Sequence, residues 1–203
     1  MLMALLASPF YMSKLLIDLL LQYRQITTED QSEILRSFQH KVIKAGDRLI
    51  AAGSVARQLF FIESGILKIT IPHPTDKDMV YHFMKEGQFM TFLYSMYGNI
   101  PAQQNLEAAC DSEVYFISYQ GLVRLYEKFP FLKPLIDEIA QLAMAQMVNT
   151  KNMYMTGDAL NKYQLFMREE RNVAVRVALA DIASYLGMTP QSLSRIRRKF
   201  AMI

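Results

Sequence analysis

The sequence predicts an α+β protein made of a region of short strands, a long helix and then an all-α region. Three observations predict this architecture. Residues 40–117 contain short apolar or alternating runs separated by turn signals, whereas the flanking segments keep a helical spacing. Residues 129–154 hold one helical spacing without a break. Basic side chains are concentrated at the end of the chain, because residues 151–203 carry nine Lys and Arg against four Asp and Glu, while residues 1–150 carry 13 against 15.

The N-terminal segment has a helical pattern. Residues 1–21 are apolar, but Pro9, Lys14 and Asp18 interrupt them, and they lack the basic start and the cleavage site of a signal peptide. We therefore expect an amphipathic helix packed on the first domain rather than a membrane partner. A second helix is expected after a break at residues 26–29, whose threonines suit a helix cap.

The strand region follows, and its period changes to two. Short strands with turn signals at this spacing predict a sandwich or roll rather than a βαβ sheet. The turn signals include four glycines, at Gly46, Gly53, Gly65 and Gly87. The predicted strands are residues 42–43, 49–50, 59–62, 67–71, 79–84, 106–110 and 114–117.

The long helical segment places apolar and small side chains on one side. This pattern predicts either a helix that covers one face of the strand region or a helix that pairs with its own copy. The small Ala140 and Ala143 favour the second interpretation, because they permit close approach. Gly157 and Asp158 then predict a hinge and the cap of a helix over residues 159–171. The side chains on the shared side are Ile136, Ile139, Ala140, Ala143, Met147, Thr150 and Tyr154.

Residues 179–199, LADIASYLGMTPQSLSRIRRK, have the spacing of a helix-turn-helix. Ala183 is small where two helix axes would approach, and Gly187 suits a turn with positive φ. Thr189 can cap the second helix, and Pro190 fits its first position. The polar and basic side of that helix suits the major groove of DNA. The alternative is a solvated helix end, since Arg and Lys also favour a helix C-terminus.

The glycines of the strand region recur in a distinctive order. The run VIKAGDRLIAAGSVARQLFFIESGILKI, residues 42–69, has a glycine–aspartate turn, a second glycine seven residues on, paired aromatics and a glycine hairpin. It resembles the cyclic-nucleotide-binding-type β-roll. Together with the helix-turn-helix, it makes residues 20–200 similar to a Crp/Fnr-family transcription regulator. The resemblance implies a β-roll of double-stranded β-helix or jelly-roll type, a dimerisation helix and a helix-turn-helix domain, at residues 1–128, 129–156 and 157–203.

The resemblance also implies partners and contact residues. A homodimer would bind double-stranded DNA at an inverted repeat, with RNA polymerase and a small-molecule effector as further partners. When the chain is aligned on Gly187, the family's base-reading positions fall on Pro190, Gln191 and Arg195, so Gln191 and Arg195 are the expected base contacts. Pro190 replaces the family's basic residue, and an unfamiliar half-site is expected. The expected phosphate contacts are Thr189, Ser192, Arg198 and Lys199.

The family's cyclic AMP cassette is altered in this sequence. Its Gly-Glu-Leu segment falls on residues 91–93 and its Arg-Ser pair near residues 102–103, where no carboxylate or arginine stands. The cyclic phosphate would therefore lack its bidentate partner, and we expect no conventional cyclic AMP binding. Phe89, Phe92, Tyr94 and Tyr97 are expected either to be core or to hold a less charged effector beside the long helix. The candidate effector pocket consists of Phe89, Thr91, Phe92, Leu93, Ala102 and Gln103.

Other chemistry is not indicated. A single cysteine, Cys110, permits no intramolecular disulfide and no four-cysteine metal centre, which indicates a reducing, cytoplasmic setting. His40, His73 and His82 are not at metal-ligand spacing, and no P-loop or nucleophile elbow is present. We expect no enzyme activity, metal or cofactor. The alternative to a DNA-binding regulator is a signalling module whose β-roll binds a nucleotide or protein partner while the C-terminal helices form a scaffold.

The sequence ends at Ile203, directly after the basic helix. Winged members of the family continue into a β-hairpin that contacts the flanking DNA backbone. We therefore expect the wing to be absent and DNA affinity to depend more heavily on dimerisation.

Overall fold

A computed structural model of the protein describes residues 13–74 and 77–200, with Phe200 described by its backbone alone. The first part of the predicted amphipathic segment, residues 1–12, and the chain end at Ile203 lie outside the described residues. Eight strands and nine helices form within the described ranges. The strands are β1 (Gln39–Ile43), β2 (Arg48–Ile50), β3 (Gln58–Ser64), β4 (Leu67–Ile71), β5 (Met79–Met84), β6 (Phe89–Met90), β7 (Asn105–Ala108) and β8 (Ser112–Ser118). The helices are α1 (Lys14–Leu21), α2 (Thr28–Arg36), α3 (Leu93–Gly98), α4 (Tyr119–Lys128), α5 (Leu132–Met153), α6 (Ala159–Glu169), α7 (Arg171–Arg176), α8 (Leu179–Tyr185) and α9 (Pro190–Phe200).

The two N-terminal helices begin at side-chain caps. The Ser13 hydroxyl accepts a hydrogen bond from the N–H of Leu16 at 3.0 Å, and the Thr27 hydroxyl accepts one from the N–H of Asp30 at 3.2 Å. The predicted break at residues 26–29 is thus confirmed. α1 buries Leu16, Ile17 and Leu20 on one face, as the amphipathic pattern predicted for its described part.

The strands form two four-stranded antiparallel sheets, in the orders β1-β8-β3-β6 and β2-β7-β4-β5. The predicted α+β fold with an antiparallel jelly-roll is confirmed, and each of the seven predicted strands forms. The sequence did not predict β6, α3, α4 or α7, and the helix predicted over residues 159–171 ends at Glu169. β6 has two residues, which is too short for an alternating pattern to be visible.

The β3–β4 hairpin depends on Gly65. Its φ is +103°, and a Cβ there would lie 2.6 Å from the Cα of Ser112 on β8. Only glycine accommodates both the conformation and this approach. The Ser112 hydroxyl accepts a hydrogen bond from the N–H of Ile66 at 3.2 Å, which holds the hairpin against β8.

The first core lies between the two sheets and is closed by α1, α2, α4 and the start of α5. α5 begins three residues later than the sequence pattern predicts. The physical reason is that Phe129 still belongs to the end of α4, where its N–H donates to the carbonyl of Leu125 at 2.8 Å, and Pro130 follows. The helix then continues for 22 residues.

The C-terminal helices share a second core with the strand region. α6 begins at its predicted cap, where the Asp158 carboxylate accepts a hydrogen bond from the N–H of Asn161 at 2.8 Å. Phe166, Ala183 and Leu193 are fully buried in this core. Because the strand region supplies one wall of it, the C-terminal helices are docked against the second sheet. The side chains that supply the wall are Ile66, Val80, Phe83 and Ala109.

Candidate effector cavity and nucleic-acid interface

A cavity of about 410 Å³ lies between strands β3 to β6, residues 91–94 and α5. Its walls are almost entirely apolar. Among the described residues that line it, none carries a charge. The lining side chains are Leu59, Ile69, Ile71, Tyr81, Met84, Phe89, Met90, Thr91, Phe92, Leu93, Tyr94, Gln104, Ile136, Ala140, Ala143, Met144 and Met147.

Four of the six predicted pocket residues line this cavity. They are Phe89, Thr91, Phe92 and Leu93. Ala102 does not line it, because its backbone is bonded to the turn at residues 53–54 and its side chain is buried there. Gln103 does not line it either, whereas its neighbour Gln104 does.

The tyrosines of this region divide between two roles. Tyr94 borders the cavity, and its hydroxyl accepts from the N–H of Gln103 at 2.8 Å and donates to Oε1 of Gln104 at 2.8 Å. Tyr97 instead packs edge-on against Tyr119, with 5.9 Å between ring centroids. Tyr97 therefore lies outside the cavity.

Tyr81 lines the cavity because β5 contains a β-bulge, which the sequence did not reveal. On β4, Ile69 pairs with His82 and the next residue, Thr70, pairs with Val80, which leaves Tyr81 as the extra residue of β5. A bulge redirects a side chain relative to simple alternation, so no period-two pattern places this ring. It is a functional candidate that sequence reasoning missed.

The predicted dimerisation side of α5 faces the chain's own strand region. Ile136, Ala140, Ala143 and Met147 line the cavity, Ile139 is buried in the first core and Thr150 is half-buried. Spacing alone could not distinguish this intramolecular face from one turned to a partner. The apolar side chains that the helix leaves exposed are Leu142, Met144, Val148 and Met153.

The turn between α8 and α9 has the geometry that its residues predict. Gly187 has a φ of +70°, and the N–H of Met188 donates to the carbonyl of Ala183 at 2.9 Å. Thr189 caps α9 by accepting a hydrogen bond from the N–H of Ser192 at 3.1 Å, and Pro190 occupies the first helical position. The helix pair is therefore fixed locally by its own sequence.

α9 presents its polar residues to solvent. Leu193 is fully buried and Ile196 packs on the second core, so the opposite side of the helix faces outward. Arg197 and Lys199 are also exposed, as are four of the five residues that line a shallow surface depression of about 350 Å³. Its lining residues are Pro190, Gln191, Ser194, Arg195 and Arg198. The predicted base-contact pair, Gln191 and Arg195, thus shares one accessible surface.

The predicted phosphate contacts lie at both ends of α9. Thr189 and Ser192 are at its N-terminus, where the Thr189 hydroxyl donates to the Ser192 hydroxyl at 3.0 Å. Arg198 and Lys199 are exposed in its last turn. Of these four residues, Arg198 lines the depression, whereas Thr189, Ser192 and Lys199 do not.

Polar contacts tie the C-terminal helices to the strand region, and sequence reasoning missed them. Nζ of Lys68 on β4 lies 2.8 Å from Oδ2 of Asp181 on α8, and these side chains are only 14% and 22% exposed. The N–H of Val80 on β5 donates to the hydroxyl of Ser184 on α8 at 2.9 Å. Two elements far apart in sequence are joined in this way, so no local pattern reports them.

A second pair of contacts lies just beyond β5. Nζ of Lys85 is 2.8 Å from a carboxylate oxygen of Glu170. Glu86 accepts hydrogen bonds from the Arg176 guanidinium and from the N–H of Gly65. Burial alone would raise the pKa of the Glu86 carboxyl, but these hydrogen bonds lower it below its usual value. Glu86 therefore stays ionised while it bridges the β3–β4 hairpin and α7.

An aromatic cluster fills the contact between β5 and α8. The Tyr185 ring packs against Phe83 at 5.1 Å and Tyr154 at 5.4 Å between centroids, with His82 beside it at 6.4 Å. Burial, with smaller contributions from the charges of Lys151 and Lys85, lowers the pKa of His82 to about 4. His82 is therefore neutral at pH 7.

The strand region has a recognisable family. Residues 40–129 match the family model of the cyclic nucleotide-binding domain. This domain contains every strand except the first residue of β1, and it contributes all but the α5 wall of the cavity. No curated protein sequence is significantly similar to the chain.

Solved structures of similar fold extend over most of the chain. The c-di-GMP-responsive global regulator CLP of Xanthomonas campestris is 14% identical, with a TM-score of 0.66 over 87% of this chain and 92% of that one. FixK2 of Bradyrhizobium japonicum is 13% identical, with a TM-score of 0.68 over 81% and 85%. A CooA variant of Carboxydothermus hydrogenoformans is 14% identical, with a TM-score of 0.62 over 90% and 82%. These are Crp/Fnr-type regulators, and the likeness is one of fold.

The described residues contain neither a membrane-spanning helix nor a cluster of metal-ligating side chains. No helix in residues 13–74 and 77–200 has both the length and the apolar character needed to cross a membrane. In the same ranges, no three His, Cys, Asp or Glu side chains are grouped so that they could hold a metal ion.

Proposed function

We propose that the protein is a cytoplasmic, sequence-specific DNA-binding transcription regulator that acts as a homodimer. The observation that carries the proposal is the exposed basic face of α9, presented beyond a turn that Gly187 and the Thr189 cap hold in place. α8 and α9 act as the helix-turn-helix, and α9 enters the major groove. The β-roll acts as a sensor that biases the position of this reading unit.

The charge distribution of α9 supports a DNA partner. The helix contains Arg195, Arg197, Arg198 and Lys199 and no acidic residue. Its apolar side is used by the second core, so the cations cannot be turned inward. A helix that exposes several cations and no acidic side chain attracts a polyanion such as DNA.

Base contact is assigned to Gln191 and Arg195. Arg195 can donate two hydrogen bonds to O6 and N7 of guanine, and Gln191 can pair with adenine or contact a neighbouring base. Both are exposed beside Pro190. Pro190 has no side-chain donor, so this position reads no base by hydrogen bonding, and the half-site should differ from that of family members with a basic residue there.

Phosphate contact is assigned to Thr189, Ser192, Arg198 and Lys199. The Ser192 hydroxyl accepts from Thr189 and keeps its own O–H for a phosphate oxygen. Arg198 and Lys199 supply sequence-independent, salt-dependent affinity. These contacts set the register in which Arg195 meets the base pairs.

Dimerisation is assigned to the outer side of α5. Leu142 and Val148, which flank the direction that points away from the strand region, expose 49% and 50% of their surface there. Pairing two copies of this helix would remove the apolar side chains from water. Two reading units held about one DNA turn apart predict an inverted-repeat target.

A selection from random duplex DNA with the full chain tests the proposal. We expect an inverted repeat, and Arg195→Ala should relax the preference at one position per half-site and weaken binding by about 1 to 3 kcal/mol. Arg198→Ala should instead weaken all sequences alike and lower the salt slope by about one. The matched control is Arg124→Ala, which removes the same charge from an exposed site on α4. Recovery of single half-sites, or of no preferred sequence, would favour the signalling-module alternative.

A further inference from the structure

We propose that the cavity against α5 binds an uncharged, mainly apolar small molecule with a hydrogen-bonding group that meets Thr91. The ligand chemistry follows from the cavity itself, and only its regulatory meaning rests on the proposed function. Thr91 is the residue that orients the polar group. The proposed sensor therefore accepts a neutral effector.

The size and lining of the cavity exclude a charged occupant. About 410 Å³ falls in the range of small-molecule pockets. A cyclic phosphate carries a negative charge, and the described lining residues offer no cation to pair with it. Removing an unpaired charge from water is strongly unfavourable, whereas removing apolar surface is favourable.

Thr91 supplies an unsatisfied polar group inside this apolar space. Its hydroxyl oxygen is buried and has no hydrogen-bond partner. Buried polar atoms in folded proteins nearly always have a partner, so a partner from outside the chain fits this position. Of the two tyrosine hydroxyls at the cavity, that of Tyr94 is already engaged with Gln103 and Gln104. The buried Thr91 hydroxyl therefore favours a ligand that carries a hydrogen-bonding group.

The α5 wall leaves room because its side chains are small or adaptable. Ala140 and Ala143 lie one turn apart on the cavity side, followed by Met147. Alanine leaves space that a larger side chain would fill, and methionine adjusts its shape to an irregular partner. Opposite this wall is Tyr81, the bulge residue of β5. An occupant therefore contacts both the proposed dimer helix and the strand on which α8 rests.

Displacement of a neutral fluorescent probe, N-phenyl-1-naphthylamine, tests the ligand class on the full chain. We expect one probe per chain, displaced by 1-decanol at a concentration at least about tenfold lower than by decanoate at pH 8, since the carboxylate must be desolvated. Cyclic AMP at millimolar concentration should leave the probe bound. Displacement by cyclic AMP, or equal potency of the alcohol and the carboxylate, would overturn the inference.

Two variants, Ala143→Phe and Thr91→Val, test whether the probe and the alcohol bind in the cavity. Ala143→Phe should fill the space and weaken probe binding at least about tenfold, while Ala178→Phe, at an exposed site before α8, should leave it unchanged. Thr91→Val keeps the shape and should weaken 1-decanol about 2- to 12-fold relative to naphthalene, which has no hydrogen-bonding group. Thr91→Val remains informative if Ala143→Phe does not fold. Unchanged ratios in Thr91→Val would remove Thr91 from the site.

Comparison of probe binding with the DNA selection, both on the full chain, separates the two proposals. If the probe fails to bind while the full chain still selects an inverted repeat, the ligand class is wrong and the regulator stands. If the probe binds as expected and no DNA sequence is preferred, the ligand class stands and the regulator is wrong.

Discussion

The ammonium group of Lys151 lies over two tyrosine rings, 4.6 Å from the centroid of Tyr81 and 5.2 Å from the centroid of Tyr185. It also donates a hydrogen bond to the carbonyl of Tyr81 at 3.1 Å. Burial lowers the pKa of Lys151 below its usual value. One cation near the end of α5 thus joins β5, the strand that carries Tyr81, to α8.

Replacing Lys151 should loosen this junction. Lys151→Met keeps the length of the side chain and removes the cation–π contacts and the hydrogen bond, so we expect the free energy of unfolding to fall by about 1 to 2 kcal/mol. Urea unfolding measures the change. Lys133→Met, at the exposed start of the same helix, should stay within about 0.5 kcal/mol of the parent. A variant at 151 as stable as the parent would mean that the cation contributes only a desolvation cost.

Stability should decrease toward acid through His82. Its folded pKa of about 4 lies below the value near 6.5 of an unfolded histidine, so between these values the unfolded chain binds the extra proton. The contribution is fully present above pH 6.5 and is lost as the pH falls toward 4. His82→Gln should reduce the loss between pH 7 and 5 by about 2 kcal/mol. Urea unfolding at a series of pH values makes the comparison, and parallel curves for parent and variant would contradict it.

Gly65 and Gly46 both have positive φ and should respond differently to alanine. A Cβ at Gly65 would approach the Cα of Ser112 at 2.6 Å, whereas a Cβ at Gly46 would meet no atom within 4 Å. Gly65→Ala should therefore cost about 3 kcal/mol or more, because backbone must move, and Gly46→Ala about 1 kcal/mol. Thermal unfolding distinguishes them. Similar losses would show that the β3–β4 hairpin yields to relieve the contact.

A substitution at Val148 tests whether the exposed side of α5 forms the proposed dimer interface. Val148→Glu introduces a charge on the outer side of α5, which should dissociate the dimer at micromolar concentration, since an unpaired charge in an apolar interface is unfavourable. Val175→Glu is the matched control, because Val175 is 72% exposed on α7 and lies outside that surface. Sedimentation velocity reports the mass. A parent that sediments as a monomer, or a Val148→Glu dimer, would contradict the assignment.

Structural features that depend on a few consecutive residues were predictable from the sequence. The seven strands followed from apolar runs and glycine turns, and the caps at Thr27, Asp158 and Thr189 followed from residue type and position. Each depends on backbone chemistry within a few residues, so no tertiary information was needed. The pocket was located in part through the resemblance to the family's cassette, since residues 91–93, on which the first cassette segment falls, lie in its wall.

Features that depend on contact between distant segments were not predictable. The Lys68–Asp181 pair joins positions 113 residues apart. Tyr81 reaches the cavity only because β4 and β5 pair with a bulge. The inward side of α5 has the spacing of any helix seam, and whether its own sheet or a second copy covers it is decided by the tertiary fold.

The second core has a consequence for how the chain can be divided. Ile66, Val80, Phe83 and Ala109 supply one wall of the space that Phe166, Tyr185 and Leu193 fill. A fragment cut at Gly157 would carry the helices without that wall and would expose their aromatic side chains to water. Such a fragment should aggregate rather than fold by itself. The strand region and the C-terminal helices are separate along the sequence, yet because they share the second core we expect them to unfold in a single transition.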